Sequence, residues 1–196
     1  MPSWSQIVMN FERILDHDEI DEFIEHLEVS TKRRLKSLEE EYKNLTEDQF
    51  EDPSDLFSCQ DHLSEQAIAT QAARDLGGQL SIVALYKKVE AKTAKIVKKR
   101  LPSATGKNLS YFKTLCEALP FDITSVNGFS ALNELRLLNN SIKHGGKVSQ
   151  ELASTFPVWT AGAEIETVGD AYSRLLPGVK AYVFDLVTKL YANGKP

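Results

Sequence analysis

The chain has little of what marks secreted, membrane-spanning or nucleic-acid-coating proteins. Its two cysteines, Cys59 and Cys116, stand far apart and have neither metal-site spacing nor the pattern of a disulfide framework. It has no signal-like N-terminus and no apolar run long enough to cross a bilayer. Its formal net charge of -5 argues against non-specific coating of nucleic acid, because that function requires a net basic surface. We therefore expect reduced thiols, a cytoplasmic location and no membrane contact.

What the sequence does contain is the composition of an ordinary globular chain with helical periodicity. Its 196 residues, 42% of them hydrophobic and 26% charged, suffice for one well-buried core and are few for two. Apolar residues recur three and four positions apart, as in an amphipathic helix, and no sustained alternating pattern predicts a sheet. The first such stripe consists of Ile20, Ile24, Leu27, Leu35, Leu38, Tyr42 and Leu45. The sequence therefore predicts an all-α fold, an up-and-down helical bundle with an added N-terminal amphipathic helix.

Proline and glycine mark the expected boundaries between helices. Pro53 ends the first helical region, and Ser54 or Asp55 is suited to cap a second helix that runs to about Arg100. The glycines at 77–78 leave open whether this stretch is one helix or two. Further helices are expected from about Leu109 to Pro120, from near Ser130, and through Val179 to Leu190, with an irregular, partly extended segment before the last.

These boundaries suggest two parts of the chain. We assign residues 1–52 to an N-terminal helical region and residues 53–196 to the helical bundle. The apolar stripe of the N-terminal region has two interpretations, because it can cover the bundle core or assemble copies as a short coiled coil. Covering the core is favoured, since the stripe spans only a few heptads.

A basic run precedes Pro102 and ends in Lys98, Lys99 and Arg100. Cations in the last turn of a helix interact favourably with the negative end of its dipole, so a solvated helix end explains the run. The alternative is a phosphate-binding flank, and we keep these three residues as candidate binding residues.

The stretch LNELRLLNNSIKHGG, residues 132–146, is dense in polar chemistry. On a helix, Arg136, Asn140 and His144 form one row four residues apart, while the core face consists of Leu132, Leu135, Leu138 and Ile142. Asn139 and Lys143 are expected to flank that row on the same stripe. The following glycine pair can adopt left-handed backbone and end the helix, which leaves His144 near solvent. Such a row is a candidate site, although solvated surface or a subunit contact has the same pattern.

Together with the helices around it, this stretch resembles the HEPN (higher eukaryotes and prokaryotes nucleotide-binding) superfamily over roughly residues 79–191. The resemblance implies a dimer of four- or five-helix bundles, and many members are metal-independent endoribonucleases of toxin, antiphage and stress systems. Their signature is an Arg followed by a polar residue, with a His four to six residues beyond the Arg and often a Gly after it. Asn140, His144 and Gly145 match this signature, whereas Asn139 stands where the Arg should be.

The missing Arg separates two functional hypotheses. In the family this Arg is thought to hold the scissile phosphate, which requires a fixed cation that Asn cannot supply. We therefore favour a degenerate cleft that binds RNA, a nucleotide or a partner protein without cutting. The alternative is an active endoribonuclease in which His144 is the acid or base and Arg136 or Lys143 holds the phosphate, leaving a cyclic phosphate end.

Neither hypothesis requires a metal or a cofactor. The remaining histidines, His17, His26 and His62, show no ligand spacing and are expected on polar helix surfaces. The resemblance further implies a two-fold homodimer, and we expect the face from Arg136 to His144 to lie near its symmetry axis.

Overall fold

The computed structural model describes residues 3–165 and 168–193, and it is built from helices. These ranges contain seven α-helices, namely α1 (Trp4–Glu12), α2 (Asp18–Lys43), α3 (Pro53–Arg100), α4 (Phe112–Ala118), α5 (Phe129–Lys143), α6 (Gln150–Thr155) and α7 (Gly169–Asn193). Across the two described ranges, the only β-pairing is a single antiparallel bridge between Lys147 and Glu164. The predicted all-α class is confirmed. No helix within these ranges is both long and apolar enough to cross a bilayer.

Helix α3 settles the question that the glycine pair left open, because it is one continuous helix of 48 residues. Its N-cap is Asp52, whose carboxylate accepts a hydrogen bond from the Ser54 backbone N–H at 2.8 Å. The predicted caps, Ser54 and Asp55, were therefore wrong. Pro53 takes the first helical position, where a fixed φ and a missing N–H are no disadvantage. Gly77 is buried in the helix, and a Cβ there would overlap the side chain of Leu27 on α2.

The main hydrophobic core lies between the C-terminal half of α3 and helices α5 and α7. Its fully buried side chains include Ile82, Leu85, Leu135, Leu138, Tyr182 and Leu186. Leu15 and Ile20 belong to the same core, so the beginning of the N-terminal region packs on the bundle. Both cysteines are half-buried free thiols.

The crossing of α5 and α7 depends on two glycines. Gly128 caps α5 with a left-handed φ of 81°, and a Cβ there would overlap the carbonyl oxygen of Gly178. Gly178 lies in α7 beside Pro177, which has no N–H to donate within the helix. A Cβ on Gly178 would come within 2.5 Å of the Cβ of Ala131. The backbones of the two helices therefore approach closely at this point.

Three leucines are buried at the other end of the α2–α3 hairpin. Leu38, Leu56 and Leu63 are buried there but lie outside the main core. At 1.5 Å per residue, the part of α3 from Pro53 to Thr70 extends about 27 Å. We call this two-helix extension, residues 32–70, the arm.

Candidate functional site on helix α5

The predicted polar row occupies the solvent side of α5. Asn140, Lys143 and His144 are exposed and Arg136 is half-buried, whereas Leu135 is fully buried. The same face begins one turn earlier with the half-buried Asn133. Helix α5 therefore presents one polar stripe, and its other sides are covered by the bundle.

Asn139 does not belong to this stripe. Its side chain is 1% exposed, so the expectation that it flanks the polar row is wrong. Its Nδ2 donates to Oδ1 of Asn140 at 3.3 Å, while its own Oδ1 is buried and accepts no hydrogen bond from the described residues. Leu137 and Ser141 are buried as well, which shows that the covered face of α5 is wider than the leucine stripe predicted.

Arg136 is fixed in place by contacts on two sides. Its guanidinium lies 4.6 Å from the centre of the Phe112 ring of α4, a cation–π geometry. Its Nε and Nη2 donate to Oδ1 of Asn133 at 3.2 and 2.9 Å. Nη2 also forms an ion pair at 3.3 Å with Glu151 of α6, a carboxylate that is 68% exposed. The guanidinium is thus oriented by its neighbours, and the Arg136 side chain is 17% exposed.

A small pocket beside Arg136 is lined by aromatic and hydroxyl groups. Tyr86, Thr93 and Tyr182 line it together with Arg136, and its volume of about 20 Å³ suits a water molecule and no larger ligand. Burial raises the pKa of Tyr86, Glu90 raises it further, and Arg136 opposes the shift. Burial likewise raises the pKa of Tyr182, although the nearby Thr93 hydroxyl opposes that shift. These phenols therefore stay protonated at neutral pH.

Helix α5 ends as the glycine pair predicted. The His144 backbone N–H donates to the Asn140 carbonyl at 3.0 Å, and Gly145 and Gly146 follow with φ values of 136° and 70°. The Gly146 N–H then donates to the Ser141 carbonyl at 3.1 Å and closes the C-terminal turn. This turn holds the exposed imidazole of His144 at the helix terminus.

Lys98, Lys99 and Arg100 lie away from this row. Lys99 and Arg100 pair with Glu12 of α1, and the Arg100 guanidinium lies 3.5 Å from the centre of the Tyr191 ring. Arg100 follows Glu90, which lines the pocket beside Arg136, by ten residues, or about 15 Å along α3. The structure therefore does not bring these three cations to the α5 row, although Lys98 and Lys99 are exposed.

The sequence did not predict an ion pair between a buried carboxylate of α5 and an exposed arginine of α7. Glu134 is 5% exposed and accepts hydrogen bonds from Arg174 of α7 at 2.6 and 3.0 Å. The indole N–H of Trp159 donates to the same carboxylate at 2.7 Å. The pairing raises the pKa of Arg174. In the sequence, Glu134 lies between two core leucines, and this position was the signal from which its burial could have been predicted.

His17 was expected on a polar surface, and this was wrong. Its side chain is 12% exposed, with Nδ1 2.8 Å from Oδ2 of Asp21 and Nε2 3.3 Å from Nζ of Lys180. It joins the start of α2 to α7. In the described ranges, no group of three or more His, Cys, Asp or Glu side chains could hold a metal ion.

Comparisons with protein families, with curated proteins and with solved structures found no match for this chain.

Proposed function

We propose that this chain is a HEPN-like helical protein that binds RNA without cutting it, through the solvent-facing row of α5. One observation carries the proposal: Arg136, Asn140, Lys143 and His144 lie on the accessible side of α5, while Asn139 is buried. The row can therefore contact a ligand, but the position of the signature Arg has neither a charge nor access.

The chemistry of the row suits single-stranded RNA. Lys143 and His144 are exposed, and neither forms an ion pair within the described ranges, so both can face phosphate. Arg136 is stacked on Phe112, and the adjacent Tyr111 is 66% exposed, which offers an aromatic surface for an unstacked base. Asn140 adds amide hydrogen bonding. With a net charge of -5, the chain has little general attraction for nucleic acid, so binding should be local and sensitive to salt.

Catalysis is less well supported than binding. Cleavage needs a cation at the scissile phosphate in addition to an acid or base. Of the two candidate cations, Arg136 is already paired with Glu151 and bonded to Asn133 through its Nη2. Lys143 beside His144 is exposed, but a single ammonium lacks the forked donors with which an Arg clamps a phosphate. A partner protein on the same row and an active endoribonuclease are therefore kept as outcomes of the test, and a role in stress or antiphage defence follows from the resemblance alone.

The test measures RNA affinity by fluorescence anisotropy with a short single-stranded RNA and its duplex, in metal-free buffer. We expect the wild type to prefer the single strand, and Lys143→Glu to weaken binding by roughly tenfold and to lower its salt dependence. His144→Ala should weaken binding more modestly. The RNA is also recovered after incubation with the protein and examined for 2′,3′-cyclic phosphate ends, which we expect to be absent.

The matched control is Lys36→Glu, the same charge change at a side chain that is 76% exposed on the arm. It should leave RNA affinity within about twofold of the wild type, since surface substitutions away from a site have small effects. If Lys143→Glu and Lys36→Glu lost RNA affinity equally, the net charge alone would determine binding, which would contradict a site on α5. Cyclic phosphate ends that disappear in His144→Ala would establish the endoribonuclease instead.

A further inference from the structure

The outer face of α3 carries an exposed stripe that is symmetric about its own centre. Seven positions follow one another in steps of four, three, four, four, three and four residues, so they stay on one face of the helix. They are Glu65, Ala69, Ala72, Leu76, Leu80, Val83 and Lys87. Leu76 is 55% exposed and Leu80 is 51% exposed, while Val83 is half-buried and the other four are exposed. We call these seven residues the α3 stripe.

If a second copy of the α3 stripe lies antiparallel to the first, their side chains complement each other in size. An antiparallel partner centred on Leu76 would place Leu80 opposite Ala72 and Val83 opposite Ala69. A large side chain thus meets a small one at each step on both sides of the centre. This alternation lets two helices interdigitate and approach closely.

Charge along α3 is complementary in the same register. The N-terminal half has acidic residues at Asp55, Asp61 and Glu65, whereas beyond Leu80 the only acidic residue of the helix is Glu90 and the rest of its charges are basic. Reversal about Leu76 places Glu65 opposite Lys87 at both ends of the apolar centre. A parallel arrangement would instead bring like charges together. The pattern therefore specifies an antiparallel partner with the same sequence.

We infer that the α3 stripe is the homodimer interface, with two α3 helices packed antiparallel and the two-fold axis at Leu76. A second copy fits this face because the pattern complements itself, which an unrelated partner would have no reason to match. The polar row of α5 has no large exposed apolar side chain within the described ranges, so it offers less to bury. An interface on α3 replaces the expectation that the face from Arg136 to His144 lies near the symmetry axis. With the axis on α3, the α5 row of each copy is free for a ligand.

The dimer is tested by sedimentation equilibrium across micromolar concentrations. The wild type should show a mass of twice the 21.9 kDa of one chain. Leu76→Glu brings two carboxylates together at the axis and should weaken association on the order of a hundredfold. The control is Val29→Glu, the same change at a side chain 53% exposed on α2, which should leave the dimer intact. Thermal unfolding of both variants checks that each remains folded.

A charge reversal tests the register independently. Glu65→Lys places two lysines opposite each other, and Lys87→Glu places two acids opposite each other, so each variant alone should associate several-fold more weakly. Mixing the two purified variants should restore dimers, because each acid then faces a lysine at both contacts. A wild type that stays monomeric, or a Leu76→Glu variant that dimerises like the wild type, would overturn the inference. Failure of the mixture to recover would overturn the register.

Discussion

At the scale of single residues, burial separates side chains that the sequence makes look alike. Asn139 and Asn140 are neighbours of the same type, yet the first is 1% exposed and the second is exposed. A third polar residue, Glu134, is buried with two hydrogen-bonding partners, Arg174 and Trp159. The chemistry available to each residue therefore depends on which side of α5 faces the bundle.

Exchanging each asparagine for arginine tests this difference. Asn139→Arg must place a guanidinium in a covered site without a carboxylate partner, so we expect it to lower the free energy of unfolding by about 3 kcal/mol or more. Asn140→Arg adds the same group at the exposed neighbour and should change it by less than about 0.5 kcal/mol. Urea unfolding measures both. Equal stabilities together with new RNA cleavage in Asn139→Arg would contradict the burial and favour the endoribonuclease.

At the scale of helices, α5 and α7 approach each other closely at a pair of glycines. The crossing point consists of Gly128, at a φ of 81°, and Gly178, with no room for a side chain on either. The sequence displays both glycines but does not show that they meet, because they lie fifty residues apart. The contact holds the beginning of α5 against α7, and further along α5 Asn140 is exposed and Arg136 is half-buried.

Gly128→Ala should therefore be costly. The left-handed conformation alone costs a non-glycine residue roughly 1–2 kcal/mol, and overlap with the α7 backbone adds about 1–3 kcal/mol. Gly162→Ala is the control, because Gly162 has a similar φ of 77° with open space around its Cβ position. Gly162→Ala should therefore lose only the stability that the left-handed backbone conformation costs. Thermal or urea unfolding of the two variants gives the comparison, and equal losses would show that the α5–α7 contact contributes nothing.

At the scale of the whole molecule, buried tyrosine side chains make the free energy of unfolding depend on pH in the alkaline range. Burial raises the pKa of Tyr86, Tyr172 and Tyr182, and for Tyr172 the hydrogen bond to Asp21 raises it further. Because these pKa values are higher in the folded state, the folded protein keeps protons that the unfolded chain releases near pH ~10. The contribution to stability is thus complete below pH ~10 and is lost as the pH rises further.

We expect the free energy of unfolding to fall above pH ~10 by up to about 1.4 kcal/mol per pH unit for each of these tyrosines. Urea unfolding at a series of alkaline pH values measures the slope. Tyr182→Phe removes one titrating phenol from the core and should make the slope less steep. A slope that is the same in Tyr182→Phe and the wild type would show that Tyr182 ionises equally in both states.

The sequence by itself determined the helical class, most helix boundaries and the identity of the polar row. These features follow from local rules. The repeat of apolar residues in steps of three and four specifies a helix, and Pro53 and the glycines at 145–146 affect only the backbone within a few residues. Tertiary structure alone decided that Asn139 is buried, that Lys99 and Arg100 pair with Glu12, and that His17 contacts α7. Each of those outcomes depends on contacts between segments distant in the chain, and periodicity within one helix does not specify how many of its sides the other helices cover.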